Sequence, residues 1–591
     1  MQLSTLDWIV MAAYGVIAVV IGLRFARTAG EGTEEFFLSG RKLPWWLLGT
    51  SMVATTFSTD TPNLVTDLVR QGGVSNNWVW WAFLITGMCT TIFYAKLWRR
   101  SEALTDIEFY ELRYSGKPAA FLRGFRALYL GILFNVLIIG GVTLAATKIG
   151  GVLLGVSPLT TVLVAGSITV LYSASSGLSG VVATDLILFV IAMIGSVAAA
   201  FYAINHADVG GLEALVSNPD IQPMLGLMPD FTDWGAALGV FIIPIAVQWW
   251  SAWYPGAEPG GGGYVAQRML AAKNEKEAMK ATLWFNIAHY GLRPWPWILV
   301  ALASLLVYPE LTDIAARFPN LDPALLGHDL AYPAMLVFLP SGLLGLVVAS
   351  LAAAYMSTVS SQLNWGASYI VGDFYRRFIN PAAKEKELVR MGRFSTVFLM
   401  VLGGGVGLWL ENAGQGFQLL LQVGAGTGLL FLLRWFWYRI NVWSELTAMI
   451  VSIVVAVYFA KFHASTSLPE LTSWQELVIS VAITTSAWVG VTLLTSPADK
   501  ATLQRYYDKI RPMGRGWSKV VDVSATAGQP STVTAAFLAW FLACMMVYGA
   551  LFGVGYVLYG QTGLAVACLG VSAVCGFGLS RTMGRLGLDS E

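Results

Sequence analysis

Fifteen apolar stretches, each long enough to cross a bilayer as a helix, alternate along the chain with short polar segments. They run at roughly 6–27, 44–70, 77–98, 121–149, 157–176, 181–204, 234–255, 281–307, 342–372, 394–411, 415–438, 441–461, 474–495, 532–557 and 561–581. The pattern predicts an all-α polytopic membrane protein of about 15 transmembrane helices. The basic residues test that count. With the N-terminus outside, every second loop lies inside. The inside segments 24–42, 96–126, 268–280, 376–393, 434–439, 500–519 and 581–585 then hold 31 of the 36 Lys and Arg residues. Such asymmetry sets orientation, so the N-terminus is expected outside and the C-terminus in the cytoplasm of a multi-pass protein of the cell membrane. The exceptions are Arg70, Lys148, Arg293, Arg317 and Lys461.

Two spans are interrupted. Span 44–70 carries Ser58-Thr59-Asp60-Thr61-Pro62-Asn63 at its centre. Span 234–255 ends in Tyr254-Pro255-Gly256-Ala257-Glu258-Pro259, followed by Gly260 to Gly263. Proline removes an amide donor and crowds the preceding turn, and irregular backbone at membrane depth is tolerated where it lines a cavity. Two broken helices five spans apart predict inverted five-helix repeats with a site between them. The second break also reads as an ordinary loop at the inner surface. On the first reading, 1–43 is an extra N-terminal helix and cytoplasmic loop, 44–204 one repeat, 234–438 the other, and 439–591 additional helices. Outer segments 205–233 and 308–341 are expected to carry short surface helices. Segment 496–530 is a basic linker to a peripheral last pair.

Composition narrows the class. Of 591 residues, 56% are hydrophobic and 12% charged, where a soluble protein carries about 25% charge; mean hydropathy is +0.64. Cys89, Cys544, Cys568 and Cys575 sit in apolar stretches, without metal-ligand or disulfide spacing. A net charge of +1 gives no case for nucleic acid or an acidic partner. The first apolar stretch ends at Arg24 and Arg27 without a cleavage-site pattern, and reads as a membrane helix rather than a leader.

Candidate chemistry lies in the run Ala354-Tyr355-Met356-Ser357-Thr358-Val359-Ser360-Ser361. Ser357, Ser360 and Ser361 are three and four apart and share a helix face. Small hard cations prefer oxygen ligands. Unwinding near Ser58 frees backbone carbonyls, with Ala54 and Phe57 one turn before the polar stretch. Two carbonyls there, with a carbonyl and two hydroxyls from 354–358, make a five-oxygen cage of neutral ligands suited to a monovalent ion. The hydroxyls could equally bond back to helix carbonyls. Asp185 is a charge about one turn into span 181–204. It is either an ion ligand with an interior partner or an acid favoured by a helix N-terminus.

These residues carry a family resemblance. Glu35-Phe36-Phe37-Leu38-Ser39-Gly40-Arg41, Thr105-Asp106-Ile107-Glu108-Phe109 with Arg113-Tyr114, Ser179 to Asp185, Gln267 to Lys273 and Ala352 to Asn364 resemble, in order and spacing, the sodium:solute symporter family. The resemblance implies the leucine-transporter fold: inverted five-helix repeats preceded by one extra helix. It implies a primary sodium (Na+) site at Ala54, Phe57, Ala354, Ser357 and Thr358. It also implies a second, present in some members, at Asp185, Ser357, Ser360 and Ser361, hence two sodium ions per cycle. Sugar-carrying members use an Asn and a Gln where Thr56 and Thr61 stand here. They use a Glu where Asn76-Asn77-Trp78-Val79-Trp80-Trp81 stands, and a Lys at the place of His289. A simple hexose is therefore not expected.

Candidate solute-binding residues are Thr56, Asp60, Thr61, Trp80, Gln248, Trp249, Trp253, His289, Arg293 and Gln418. Aromatic faces stack on rings or cations, Arg293 can grip a carboxylate in a bidentate pair, and Asp60 can hold an ammonium. The same Trp residues also suit packing, and Arg293 before Pro294 also suits a distorted turn. The expected function is a sodium-coupled symporter importing a small organic solute by alternating access, in the lipid bilayer as a monomer or weak oligomer. The alternatives are a proton-coupled carrier of the same fold and a membrane-embedded transferase. The latter would need an acid–base or metal cluster, which the sequence does not offer.

Overall fold

The computed structural model describes residues 3–29, 32–251, 259–319, 321, 323–410, 424–523 and 533–584. Among these the chain is helical. Its one extended pairing is an isolated bridge between Leu43 and Ala272. The helices that frame the centre are α1 (Thr5–Ala29), α2 (Trp45–Thr56), α3 (Asp60–Gly72), α4 (Val74–Ser101), α5 (Gly116–Leu154), α6 (Pro158–Ile204), α7 (Trp234–Ala246), α8 (Gly263–Leu270), α9 (Glu275–Val307), α10 (Leu343–Ile379) and α11 (Glu385–Trp409). Beyond them come α12 (Val442–Ser465), α13 (Ser473–Leu494), α14 (Lys500–Ile510), α15 (Val533–Leu558) and α16 (Thr562–Met583).

Ten helices among the described residues are long and apolar enough to cross a membrane. Of the other spans expected from the sequence, 6–27 forms α1, 415–438 lies partly outside the described residues, and the rest are shorter or split. The first core span is divided into α2 and α3, and Trp234–Ala246 is short. The expected 157–176 and 181–204 join as α6, which changes direction at Gly177 (φ 56°, ψ −169°), a conformation open to glycine. The polar segments 205–233 and 308–341 do form short helices, Leu212–Ser217 and Leu311–Arg317 among them.

Three basic residues that broke the loop asymmetry turn out to be internal. Lys148 Nζ pairs with Asp329 Oδ2 at 2.7 Å, both buried. Arg70, at the end of α3, donates through Nη1 to Ser304 O (2.8 Å) and Ser304 Oγ (3.0 Å), and through Nη2 to Tyr308 O (2.7 Å). It thereby satisfies carbonyls at the C-terminus of α9, where a cation is favoured. Arg293 is also buried.

The first helix, α1, is anchored as well. Asp7 Oδ1 accepts from Gly342 N and Gly345 N, each at 2.7 Å, and so caps the N-terminus of α10. Several of the motif stretches are joints between helices. Arg41 donates to Leu270 O (3.1 Å) and Ala103 O (2.9 Å). Asp106 accepts from Gly263 N at 2.8 Å, the first residue of α8, and from the Tyr369 hydroxyl on α10. Arg123 on α5 ties Glu108, Glu111 and Asp373 together.

Candidate cation and solute site

The break between α2 and α3 falls at Phe57–Thr59. Phe57 leaves the helical region (φ −86°, ψ 76°). Asp60 and Pro62 then open α3, where an acid suits the exposed amides and proline loses no internal bond. The last turn of α2 therefore presents carbonyls with no amide four residues on. One of them is taken across the helix junction: Thr358 Oγ1 on α10 donates to Thr55 O at 2.7 Å. That bond sets the turn holding Ala54 and Phe57 against the turn holding Ala354, Ser357 and Thr358, with all five buried.

Asp185 on α6 is buried at the same junction. Its Oδ1 accepts from Ser357 Oγ and its Oδ2 from Ser51 Oγ, each at 2.5 Å. A hydroxyl that donates to a carboxylate keeps its lone pairs for a cation. Ser360 Oγ donates to Ser357 O at 3.0 Å, while Ser361 Oγ pairs with Thr55 Oγ1 at 3.1 Å. The residues expected to hold ions thus meet between α2, α6 and α10. Asp185 is not merely an acid at a helix end, because hydroxyls from two other helices hold both its oxygens.

Three members of this cluster were not expected: Ser51, Thr55 and Arg268. Arg268 on α8 is fully buried. It donates through Nη2 to Ser361 Oγ (2.8 Å) and Thr55 Oγ1 (3.5 Å), and through Nε to Ser51 Oγ (3.3 Å). The sequence reading counted it among inner-loop charges, and that placement is corrected. Its signal was available in the apolar run Tyr264-Val265-Ala266, which makes a helix continuing inside the protein.

Of the solute candidates, Thr56, Trp80, His289 and Arg293 come together. Thr56 Oγ1 lies 3.1 Å from His289 Nδ1, and His289 Nε2 lies 3.3 Å from Arg293 Nη2. Arg293 Nη1 reaches Val53 O and Thr56 Oγ1, each at 3.4 Å, and the guanidinium lies over the Trp297 ring, 5.3 Å from its centroid. Trp80 stacks on Tyr290 at 5.7 Å and meets His289 edge-on at 5.8 Å. Local chemistry explains the placement: Pro294 has no amide, the helix widens into a π-helical turn over Ile287–Leu292, and Arg293 N bonds Ala288 O at 3.3 Å.

Thr61 Oγ1 donates to Thr56 O at 3.2 Å and braces the break, with Asp60 heading α3 beside it. Gln248 and Trp249 are engaged with the backbone and a hydroxyl of α4. Gln248 Nε2 donates to Val79 O at 2.6 Å, Trp249 O accepts from the Thr86 hydroxyl, and the Trp249 ring lies 5.8 Å from Trp540. The α-helical backbone before the second break ends at Ala246, and a single 3-10 turn, Gln248–Trp250, follows it. Trp253 and Gln418 lie outside the described residues. Next to Thr56 a cavity is lined by Thr86, Thr90, Thr282, Asn286 and Tyr290. The buried Asn286 Oδ1 takes no hydrogen bond. Asn286 precedes His289 by three residues on one face of α9, a spacing from which it could have been read.

A profile of the sodium:solute symporter family matches residues 36–452. The sodium/glucose cotransporter of Vibrio parahaemolyticus is 28% identical over 480 residues, covering 78% of this chain and 85% of that protein. The sodium/myo-inositol cotransporter 2 of Mus musculus is 25% identical over 495 residues, covering 76% and 69%. Among solved structures, a Na+-coupled sialic acid symporter in its substrate-bound outward-open state superposes with a TM-score of 0.63 at 19% identity, covering 84% of this chain and all of that one. That likeness gives the fold, and the family is one of membrane transporters rather than enzymes. The chain belongs to the sodium:solute symporter family.

Proposed function

We propose that this protein imports a small polar organic solute by alternating access, with sodium bound where α2 and α10 meet. The observation that carries the reading is the Thr358–Thr55 contact at 2.7 Å. It puts two hydroxyls and the carbonyls of a helix break within one turn of each other. Ala54, Phe57, Ala354, Ser357 and Thr358 hold the first ion in this reading. Asp185, Ser357, Ser360 and Ser361 hold a second. The inverted repeats span 44–204 and 234–438, and the N-terminus lies outside.

Sodium drives the cycle only if it binds one conformation better than the other. An ion that joins α2 to α10 meets that condition, because it bridges the two repeats. One ion moving through about 150 mV gains roughly 3.5 kcal/mol, and a tenfold concentration ratio adds about 1.4 kcal/mol. One ion therefore sustains about a 3,000-fold gradient of a neutral solute, and two the square of that.

The solute lies beside Thr56, between the rings of Trp80 and Tyr290 and the side chains of Asn286, His289 and Arg293. Relatives named for glucose, myo-inositol and sialic acid suggest a ring bearing hydroxyls; Thr56 and Thr61 at the sugar-ligand places argue against a simple hexose. A thermal-shift screen of sugars, polyols, carboxylates and amines, each in sodium and in choline, identifies the solute. Uptake into proteoliposomes then tests coupling. Uptake that persists in choline and follows a proton gradient would replace sodium by protons in this reading.

A further inference from the structure

One oxygen assigned to the second ion already accepts from a cation, and a second, on Asp185, is linked to the same cation through Ser51. Arg268 Nη2 donates to Ser361 Oγ at 2.8 Å, and its Nε contacts Ser51 Oγ at 3.3 Å, which in turn donates to Asp185. Nη1 is fixed by Gln267 Oε1 at 3.0 Å, and Gln267 Nε2 by Phe37 O (3.0 Å) and Asn364 Oδ1 (3.1 Å). The guanidinium also lies 5.6 Å from the centre of the Tyr264 ring. It is positioned as carefully as any ligand, and is held by α2 and α10 as well as its own helix.

Asp185 supplies one negative charge. The hydrogen bonds it accepts come from neutral hydroxyls. Guanidinium and carboxylate together are neutral. A sodium ion added to them would leave an uncompensated positive charge in a buried setting, which is strongly disfavoured. Sodium would also need Ser361 Oγ, whose lone pair Arg268 engages.

We propose that Arg268 is a tethered cation: it and a sodium ion at Asp185, Ser357, Ser360 and Ser361 are alternative occupants of one group of oxygens. This rests on the sodium reading above and sharpens it. Arg268 stands on α8, in the second repeat's broken helix, while Ser361 and Asp185 stand on α10 and α6. A shift of α8 away from α10 frees Ser361 and admits the ion. The return of the guanidinium expels it.

The test is equilibrium binding of radioactive sodium to the purified full-length protein, without solute. Wild type is expected to take one ion readily and a second only at much higher sodium. Arg268→Gln is expected to bind two, the second at sodium concentrations lower by about tenfold or more. Arg268→Gln with Asp185→Asn should return to one. Arg268→Lys, which keeps the charge, should follow wild type and guards against a fold defect in the glutamine variant. An unchanged ion count and affinity in Arg268→Gln, or a second ion in Arg268→Lys as tight as in Arg268→Gln, overturns the proposal. If wild type binds no sodium at all, the failure belongs to the sodium reading instead.

Discussion

Replacing Thr358 by valine removes one hydroxyl and keeps the branched shape. Two separate losses follow. Thr55 O sits in the last turn of α2, where no amide of that helix reaches it, and Thr358 Oγ1 donates to it at 2.7 Å. Leaving a buried carbonyl without its donor costs about 1–3 kcal/mol, whether or not sodium is present. The second loss is ion affinity. At a sodium concentration one hundred times Kd, binding stabilises the folded protein by about 2.7 kcal/mol. If losing one oxygen of five weakens binding a hundredfold, the same sodium contributes only about 0.4 kcal/mol. Thermal unfolding in detergent, in sodium chloride and in choline chloride at equal ionic strength, separates the two. Thr358→Val should start lower in choline and gain almost nothing from sodium. A variant that is destabilised yet keeps the full sodium-dependent rise would refute the placement of the ion at this junction.

Asp185→Asn leaves the charge of Arg268 buried without a counter-charge and should cost about 3–5 kcal/mol; adding Arg268→Gln should recover most of it, as read from unfolding midpoints. Asp185→Ala, where it folds, should make solute uptake first-order in sodium, measured as initial rate against sodium concentration. Asp7→Asn weakens the cap on α10 and should cost about 1 kcal/mol, whereas Gly345→Ala drives a methyl group into the Asp7 backbone and should reduce the folded yield sharply, as seen by size-exclusion profile. Outside the membrane, Asp499 caps α14, and hydrogen bonds from the Ser115 side chain and from Thr502 lower its carboxyl to about 2. A lowered folded-state value stabilises above the ordinary carboxylate range and is lost as pH falls through it, so the stability gap between wild type and Asp499→Ala should narrow between about pH 5 and pH 2.

The helical class and the first break could be read from the chain because a membrane makes a run of apolar residues and an internal Ser-Thr-Asp-Thr-Pro stand out. The candidate cation residues were readable for a related reason: Ser357, Ser360, Ser361 and Asp185 are polar where polarity is costly. Arg268 escaped because charge near the end of a span looks the same in sequence whether the helix stops before it or carries it inward. Gln248 was read as a solute residue from its position; its Nε2 donates to Val79 O, a contact between residues 169 apart that the sequence does not announce. Asn286 was passed over because its only local signal is the three-residue spacing to His289. Its meaning comes from the Thr86 and Thr90 side chains that share its cavity.

Arg70 has a mechanical consequence. By clasping Ser304 and Tyr308 it rivets α3, the second half of the first broken helix, to the C-terminal end of α9, so in the proposed alternating-access cycle these two rods would swing as a single lever. Bending is then left to the two weak points below the rivet, the gap at Phe57–Thr59 and the widened turn at Ile287–Leu292. They are fastened to each other by the 3.1 Å contact of Thr56 with His289, which would make that contact the fulcrum of the proposed alternating-access stroke.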